Sequence, residues 1–207
     1  MRVGAGATLR AAAMKAMEAG LGDLSPLSGI PGTVGGAAVM NAGAYGGEMS
    51  QVVRRVLALT PAGEPRTLSG TELSYRYRAS ALMDQGLIAT EVEFSLQEMD
   101  PDILRAQMND YDARRRDKQP LTQPSAGSFF KRPEGDYASR LIEAAGLKGF
   151  AIGDAQVSPK HAGFVVNRGQ ATAAQVLALM REVQKRVLEL SGIRLEPEVK
   201  IIGEEAT

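Results

Sequence analysis

The sequence predicts an α+β fold, and three patterns carry that prediction. Apolar residues alternate with period two over Leu87–Leu96 and again over Leu195–Ile201. Apolar residues fall at helical spacing near the start, after Pro101 and after Thr172. Strands and glycines crowd the first part of the chain, whereas the longer helices crowd the second. The 207 residues suffice for one or two domains with real cores, and they contain no internal repeat and no low-complexity tract. The boundary is expected near Leu96–Pro101, dividing 1–96 from 97–207.

The chain opens on Met1-Arg2-Val3-Gly4-Ala5-Gly6-Ala7, which reads as the end of a strand entering a turn. A start in mid-strand is expected of a piece of a longer chain. Leu9–Ala19 follows as a helix, with Thr8 as its N-cap and Gly20 as its left-handed C-terminal residue. Seven of the residues from Gly29 to Gly47 are glycine, and little apolar weight lies between them. Val52–Thr60 reads as a strand ending in the turn Pro61–Pro65, and Leu87–Leu96 as a second strand. Ile103, Leu104, Gln107, Met108 and Tyr111 share a helix face running to about Arg116, with Asp100 capping it and Pro101 in its first turn. Gln119–Pro124 ends that helix. Tyr137–Ala145 is a short helix stopped by Gly146, and Phe164-Val165-Val166 a short strand. Thr172 and Gln175 have capping-box spacing before a helix that bears Val176, Leu177, Met180, Val183, Val187 and Leu188 and closes at Gly192. Leu195, Pro197, Val199 and Ile201 alternate in a final strand.

Composition excludes several chemistries. Without cysteine there is no disulfide framework, no Cys-ligated zinc or iron–sulfur centre and no thiol catalysis. One histidine argues against a poly-histidine metal site, so no metal is expected. Lys+Arg and Asp+Glu both number 24, so the chain has no global attraction for nucleic acid or an anionic membrane. No signal peptide and no apolar run long enough to span a bilayer is visible, so a cytoplasmic location is the default expectation.

Several segments could carry chemistry, and each has a plainer alternative. The Gly-rich stretch permits positive φ and close backbone approach to a ligand, with amides able to bind phosphate or ring carbonyls. It is neither a Walker A loop nor the usual dinucleotide fingerprint, and it could equally form tight turns around a small-residue core. Ser125–Lys131 sets a hydroxyl among Gly, Ala and two Phe, where it could relay a proton beside an anion-holding Lys131. Its plainer reading is a serine turn with two core aromatics. In Leu73–Ser80, alternating arginines in an extended segment would face one way and suit phosphates or a carboxylate, unless this is a solvated edge. Arg114-Arg115-Arg116-Asp117-Lys118 could bind a diphosphate or simply complement a helix dipole. Glu196 and Glu198 would share one face of an edge strand that tolerates Pro197. His161 reads as a structural hydrogen-bonding residue.

Taken in order, SGIPGTVGGAAVMNAGAYGGE, YRYRAS, RRRDKQP, PSAGSFFKRP, GDAQVSPKHAGFVVN and LEPEVKIIG resemble the UDP-N-acetylenolpyruvoylglucosamine reductase family across essentially the whole chain. It is similar to the shorter form, because no insertion separates YRYRAS from the RRRDKQP helix. The resemblance implies the second half of a flavin-binding domain followed by a smaller α+β substrate-binding domain. It implies FAD and NADPH as cofactors, UDP-N-acetylglucosamine enolpyruvate as substrate and no obligate protein partner. The implied reaction passes hydride from reduced flavin to the terminal carbon of the enolpyruvyl group and a proton to the neighbouring carbon, giving UDP-N-acetylmuramate for peptidoglycan.

The family's proton-donating serine falls on Ser128, its Tyr-Arg-x-Ser arginine on Arg78 and its Pro-Glu-Val glutamate on Glu198. Hydride addition leaves charge delocalised into the substrate carboxylate, which a fixed cation and a hydrogen-bonding carboxyl group stabilise. Gly29, Ile30, Pro31, Gly32, Gly35, Gly36, Ala37 and Asn41 are implied to lie along the flavin, and Arg115, Lys118 and Lys131 to contact substrate diphosphate or carboxylate. His161 and Asn167 belong to a family-like motif without an assigned role. Arg132, where some members have Asn, and Lys200, where some have Arg, are departures. Full-length members carry an upstream segment, with a Gly-rich turn for the FAD pyrophosphate, before the point where this chain starts. A chain without it is expected to expose strand edges and to bind FAD poorly, and a UDP-sugar-binding module without redox activity is the alternative.

Overall fold

The computed structural model describes residues 1–203. The chain divides into two compact units, Met1–Arg115 and the remainder from Arg116. The division lies later than the one expected after residue 96. Its reason is the helix α5 (Pro101–Lys118), whose Leu104 and Met108 are buried in the first core rather than in a second one.

In the first unit, β1 (Arg2–Gly4), β4 (Val53–Leu59), β5 (Pro65–Ser69) and β6 (Ile88–Phe94) form an antiparallel sheet in the order β1-β6-β4-β5. The helix α1 (Leu9–Glu18) follows β1, capped by the Thr8 hydroxyl on the Ala11 amide at 3.2 Å. Its chain exit turns at Gly20 with φ 67°. The Gly-rich stretch is not all turns. It holds the short helix α2 (Val34–Val39), capped by Thr33, a two-residue-stranded hairpin of β2 (Gly43–Ala44) and β3 (Gly47–Glu48), and the one-turn helix α3 (Met49–Val52). A further one-turn helix, α4 (Ala81–Asp84), precedes β6. Leu9, Leu24, Leu27, Val34, Met49, Leu73 and Leu82 are almost completely buried in this core.

Two register shifts reshape the alternation read from the sequence. Between β4 and β6 the pairing passes from Leu57↔Glu91 to Ala58↔Ala89, so Thr90 is left over. A one-residue bulge exchanges the two faces of a strand. Val92 and Phe94 are therefore buried, whereas Ile88, on the far side of the bulge, is 58% exposed. The second shift, between Val53↔Phe94 and Arg55↔Glu93, leaves Arg54 beside Arg55. Arg2, Arg54 and Arg55 all reach the single carboxylate of Glu93.

In the second unit, β7 (Ser125–Ser128), β8 (Ala151–Ile152), β9 (Ala155–Val157) and β10 (Phe164–Asn167) form an antiparallel sheet in the order β7-β10-β9-β8. The helices α6 (Ala138–Ala144) and α7 (Ala173–Ser191) pack on its core with Phe129 and Phe130. The Thr172–Gln175 capping box and the left-handed Gly192 stand where the sequence placed them. The buried face of α7 is Leu179, Met180, Val183 and Val187, and Leu188 is 45% exposed. The expected final strand over 195–201 does not form. Its pairing is one bridge, Phe130↔Pro197, flanked by Lys131 N–H donating to Glu196 O at 2.8 Å and Glu198 N–H to Phe129 O at 2.9 Å. Pro197 lacks an N–H and sits between the two bonds, at the point where none is required.

Two predictions follow from the packing. The arginines, Arg55 foremost, hold the Glu93 carboxyl below its ordinary pKa of 4.5. A depressed carboxylate stabilises the fold above the ordinary pKa and loses that contribution as the pH falls through the folded value. Glu93→Gln should therefore lower the unfolding temperature at neutral pH, with the gap to the parent closing on acidification; a widening gap would contradict the clamp. The Tyr75 hydroxyl is buried with no hydrogen-bond partner among the described residues, and burial pushes its pKa well above the ordinary value. An unsatisfied buried hydroxyl destabilises by roughly 1–3 kcal/mol, so Tyr75→Phe should raise stability in urea by about 1 kcal/mol, and a loss of that size would reveal a partner.

Candidate functional site

In the first unit, two helices start at one place. Thr8 and Thr33 face each other in an antiparallel bridge, with Leu9 N–H donating to Gly32 O at 3.0 Å and Val34 N–H to Ala7 O at 2.9 Å. Both threonines are N-caps, of α1 and α2. The amides of Gly6, Thr8, Gly32 and Thr33 donate to no other group of the described chain, and all four residues are exposed. Gly32 has φ 139° and open space on its side-chain side. Exposed amides at the N-terminus of a helix form a cradle for an anion, above all a phosphate. Such a cradle could hold the phosphates of a dinucleotide. Gly6 and Thr8 were not singled out in the sequence as residues able to hold a ligand, although the spacing Gly4-x-Gly6-x-Thr8 before a helix is a visible signal.

The other glycines of the stretch answer to the protein itself. A Cβ at Gly35 would lie 2.7 Å from the Ala5 Cβ, and one at Gly29 would lie 1.5 Å from Nη1 of Arg115. Arg115 is only 7% exposed, and its Nη1 has no hydrogen-bond partner among the described residues. Its guanidinium lies 5.3 Å from the centre of the Tyr45 ring, which stacks on Tyr111 at 4.8 Å. Arg115 is thus packed on Gly29 rather than displayed to solvent. Its neighbours diverge, because successive helix residues point about a quarter-turn apart. Arg114 pairs with Asp110 at 2.7 Å, whereas Lys118 is exposed. Of the residues implied along the flavin, Pro31, Gly32 and Gly36 are exposed and Gly29 and Ile30 are half-buried. Gly35, Ala37 and Asn41 are buried.

The arginines of YRYRAS do not face one way. The segment is not extended: Arg76-Tyr77-Arg78-Ala79 is a tight turn in which Arg78 has φ 54°. Arg76 pairs with Asp84 at 2.8 Å, while Arg78 donates to the carbonyls of Asn41 at 3.3 Å and Gly43 at 3.1 Å. Ser80, fully buried, donates to Val39 O at 2.5 Å and caps α4. The motif is thereby fastened to the end of the Gly-rich stretch.

In the second unit, Ser128 ends β7 and is exposed rather than shielded, while Phe129 and Phe130 turn inward edge-to-face at 5.3 Å. The serine that forms the local turn is Ser125, whose Oγ accepts from Gly127 N–H at 3.2 Å. The bridge at Pro197 places the main chain of Glu198 beside Phe129, one residue from Ser128. Lys131 pairs with Glu196 at 3.2 Å, and Arg132 lies over the Tyr137 ring at 4.1 Å. The bridge therefore sets Glu196 beside Lys131 and the main chain of Glu198 beside Phe129, the residue after Ser128. His161 shapes the adjoining loop: its Nδ1 accepts from Gly163 N–H at 3.1 Å, and burial, with help from Lys148 and Lys118, lowers its pKa. Asn167 Oδ1 accepts from the amides of Gly169 and Ala171.

Residues 1–69 match the model of an FAD binding domain, and residues 119–202 match that of the C-terminal domain of UDP-N-acetylenolpyruvoylglucosamine reductase. Relatives of that name match nearly the whole chain: 53% identity over 201 residues for one from Agathobacter rectalis and 50% over 203 residues for one from Levilactobacillus brevis. These alignments cover 97% and 98% of this chain but 64% and 67% of the relatives. The crystal structure of the Thermus caldophilus enzyme of that name superposes with a TM-score of 0.86 at 40% identity, over 97% of this chain and 71% of that one. Cradle, sheet and matched domains define a protein of the flavin-binding class. Within that class, the chain belongs to the UDP-N-acetylenolpyruvoylglucosamine reductase family.

The packing of Arg115 on Gly29 predicts a matched pair. Gly29→Ala should destabilise by about 1–3 kcal/mol, the usual range for overpacking. In an Arg115→Ala background the same substitution should cost clearly less, as read from denaturation midpoints. Equal costs in the two backgrounds would show that Gly29 is required by something other than Arg115.

Proposed function

We propose that this chain carries out the FAD-dependent reduction of UDP-N-acetylglucosamine enolpyruvate to UDP-N-acetylmuramate, with NADPH as reductant, in the cytoplasmic synthesis of peptidoglycan precursors. The observation that carries the reading is the placement of Ser128 and Glu198 one residue apart across the Phe130–Pro197 bridge, in a chain about half identical to reductases of that name. The amides of Gly6, Thr8, Gly32 and Thr33 fit the phosphates of FAD. Bound FAD supplies the hydride.

The chain's own residues do the rest. Arg78 offers a fixed cation to the enolate that forms as the enolpyruvyl carbon is reduced. Glu198 adds a carboxyl group in the same role. Ser128 holds the proton that goes to the neighbouring carbon; a hydroxyl is a weak acid, so it depends on that charge stabilisation. Exposure of Ser128, at the end of a strand fixed by two buried phenylalanines, leaves its hydroxyl available to a substrate. Lys118 is an exposed cation suited to a diphosphate, and Lys131, half-buried and paired with Glu196, is a second cation of the same unit. Arg115, packed on Gly29, supports the cradle segment instead of reaching substrate.

Ser128→Ala should leave flavin reduction by NADPH unchanged and slow flavin reoxidation by the enolpyruvyl substrate by about 10²–10⁴-fold, followed by flavin absorbance in stopped flow. Loss of the first half-reaction would overturn the proton-donor role. Colourless protein that still binds the UDP-sugar would favour a binding module over a reductase.

A further inference from the structure

We propose that Asn41 is a positioning residue for Arg78, acting through its side-chain amide, and not a flavin contact. This rests on the reductase reading above, because it assigns Arg78 the stabilising cation. The side chain of Asn41 is 2% exposed and its hydrogen-bonding capacity is used within the protein. Nδ2 donates to Glu48 Oε2 and to Arg76 O, both at 3.1 Å, and Oδ1 accepts from Ser50 N–H at 2.9 Å. A side-chain amide has two donors and a carbonyl acceptor, so these bonds leave little for a cofactor.

The main chain of the same residue does different work. Asn41 has φ 47°, a left-handed conformation that asparagine tolerates better than most side chains. That conformation presents its carbonyl to Arg78 Nη1 at 3.3 Å, with Gly43 O taking Nη2 at 3.1 Å. Position 43 has no room for a side chain: a Cβ there would meet Glu48 and Gly47 at 2.9 Å and Arg78 Nη1 at 3.4 Å. The residue whose carbonyl holds the guanidinium therefore also grips, through its amide, the carbonyl of Arg76 in the same tight turn. The Ser80 hydroxyl on Val39 O closes the other side. Backbone and head group of Arg78 are fixed to one short segment, 39–43, and Asn41 is its hub. Preorganisation of this kind spares a catalytic cation the reorganisation that water would otherwise demand.

Asn41→Gly keeps the left-handed backbone and removes only the amide. Turnover with the enolpyruvyl substrate should fall on the order of 10- to 100-fold, as for other small misplacements of a catalytic group. FAD affinity, by fluorescence titration, should stay within about twofold. The ¹⁵N signals of the Arg78 guanidinium should report less restricted rotation than in the parent. In a double-mutant cycle, Asn41→Gly should add nothing to Arg78→Met. Unchanged Arg78 signals, multiplying effects, or an FAD affinity that falls in step with turnover would overturn the proposal. Should wild-type protein show no turnover, the reductase reading fails, and the Arg78 signals still decide whether Asn41 positions it. Should Asn41→Gly not fold, Glu48→Ala, which removes one acceptor of the amide, carries the same test with a smaller effect.

Discussion

The first unit depends on the bridge between Thr8 and Thr33. Four backbone amides at the start of a helix have no partner inside it, and a threonine cap satisfies only one of them. Here two helices begin side by side, and each threonine caps its own helix while its neighbours bond across the gap. The main chains can approach this closely because Gly35 lacks a Cβ where Ala5 stands. The remaining amides point outward together. Exposed amides gathered at helix N-termini favour an anion over a cation.

The second unit solves a different problem with similar means. Ser128 is exposed at the end of β7, and the residues after it are not. The two phenylalanines that follow it are 4% exposed, so the strand end is anchored by burial of two large rings. A single bridge at Pro197 then brings in the chain bearing Glu198. Proline removes one ladder donor from that chain, and the bonds on either side of it, at Glu196 and Glu198, hold the segment to Phe129 and Lys131. Lys131 is tied to Glu196 across the same bridge, so this corner carries both signs of charge.

Zero net charge conceals how unevenly charges are spent. Three arginines converge on Glu93 and another pairs with Asp84, all on surfaces whose ion pairs stabilise weakly. Arg78 and Arg115 differ in kind. One has its head group fixed by main-chain carbonyls, and the other is buried with a nitrogen unbonded. Both lie on the Gly-rich stretch or its fastenings, and both depend on glycines that leave room for a guanidinium.

Local chemistry was legible in the residues themselves. The threonine caps of α1 and α7, the left-handed Gly20 and Gly192 and the face of α7 through Met180, Val183 and Val187 follow from spacing alone, because caps and periodicity act within a few residues. The order of motifs was enough to suggest the family. The sequence could not show that Thr90 bulges and turns Ile88 outward, that α5 buries Leu104 and Met108 in the first core, or that YRYRAS folds into a turn whose arginines part. Nor could it show that the Asn41 amide bonds within the protein or that Arg115 packs on Gly29. Each of those depends on a partner more than ten residues away in the chain, such as Leu57 for Thr90, Gly29 for Arg115 or Arg76 for Asn41. Propensity and spacing are local quantities, and only the packed chain decides which distant carbonyl or methyl group occupies the space beside a residue.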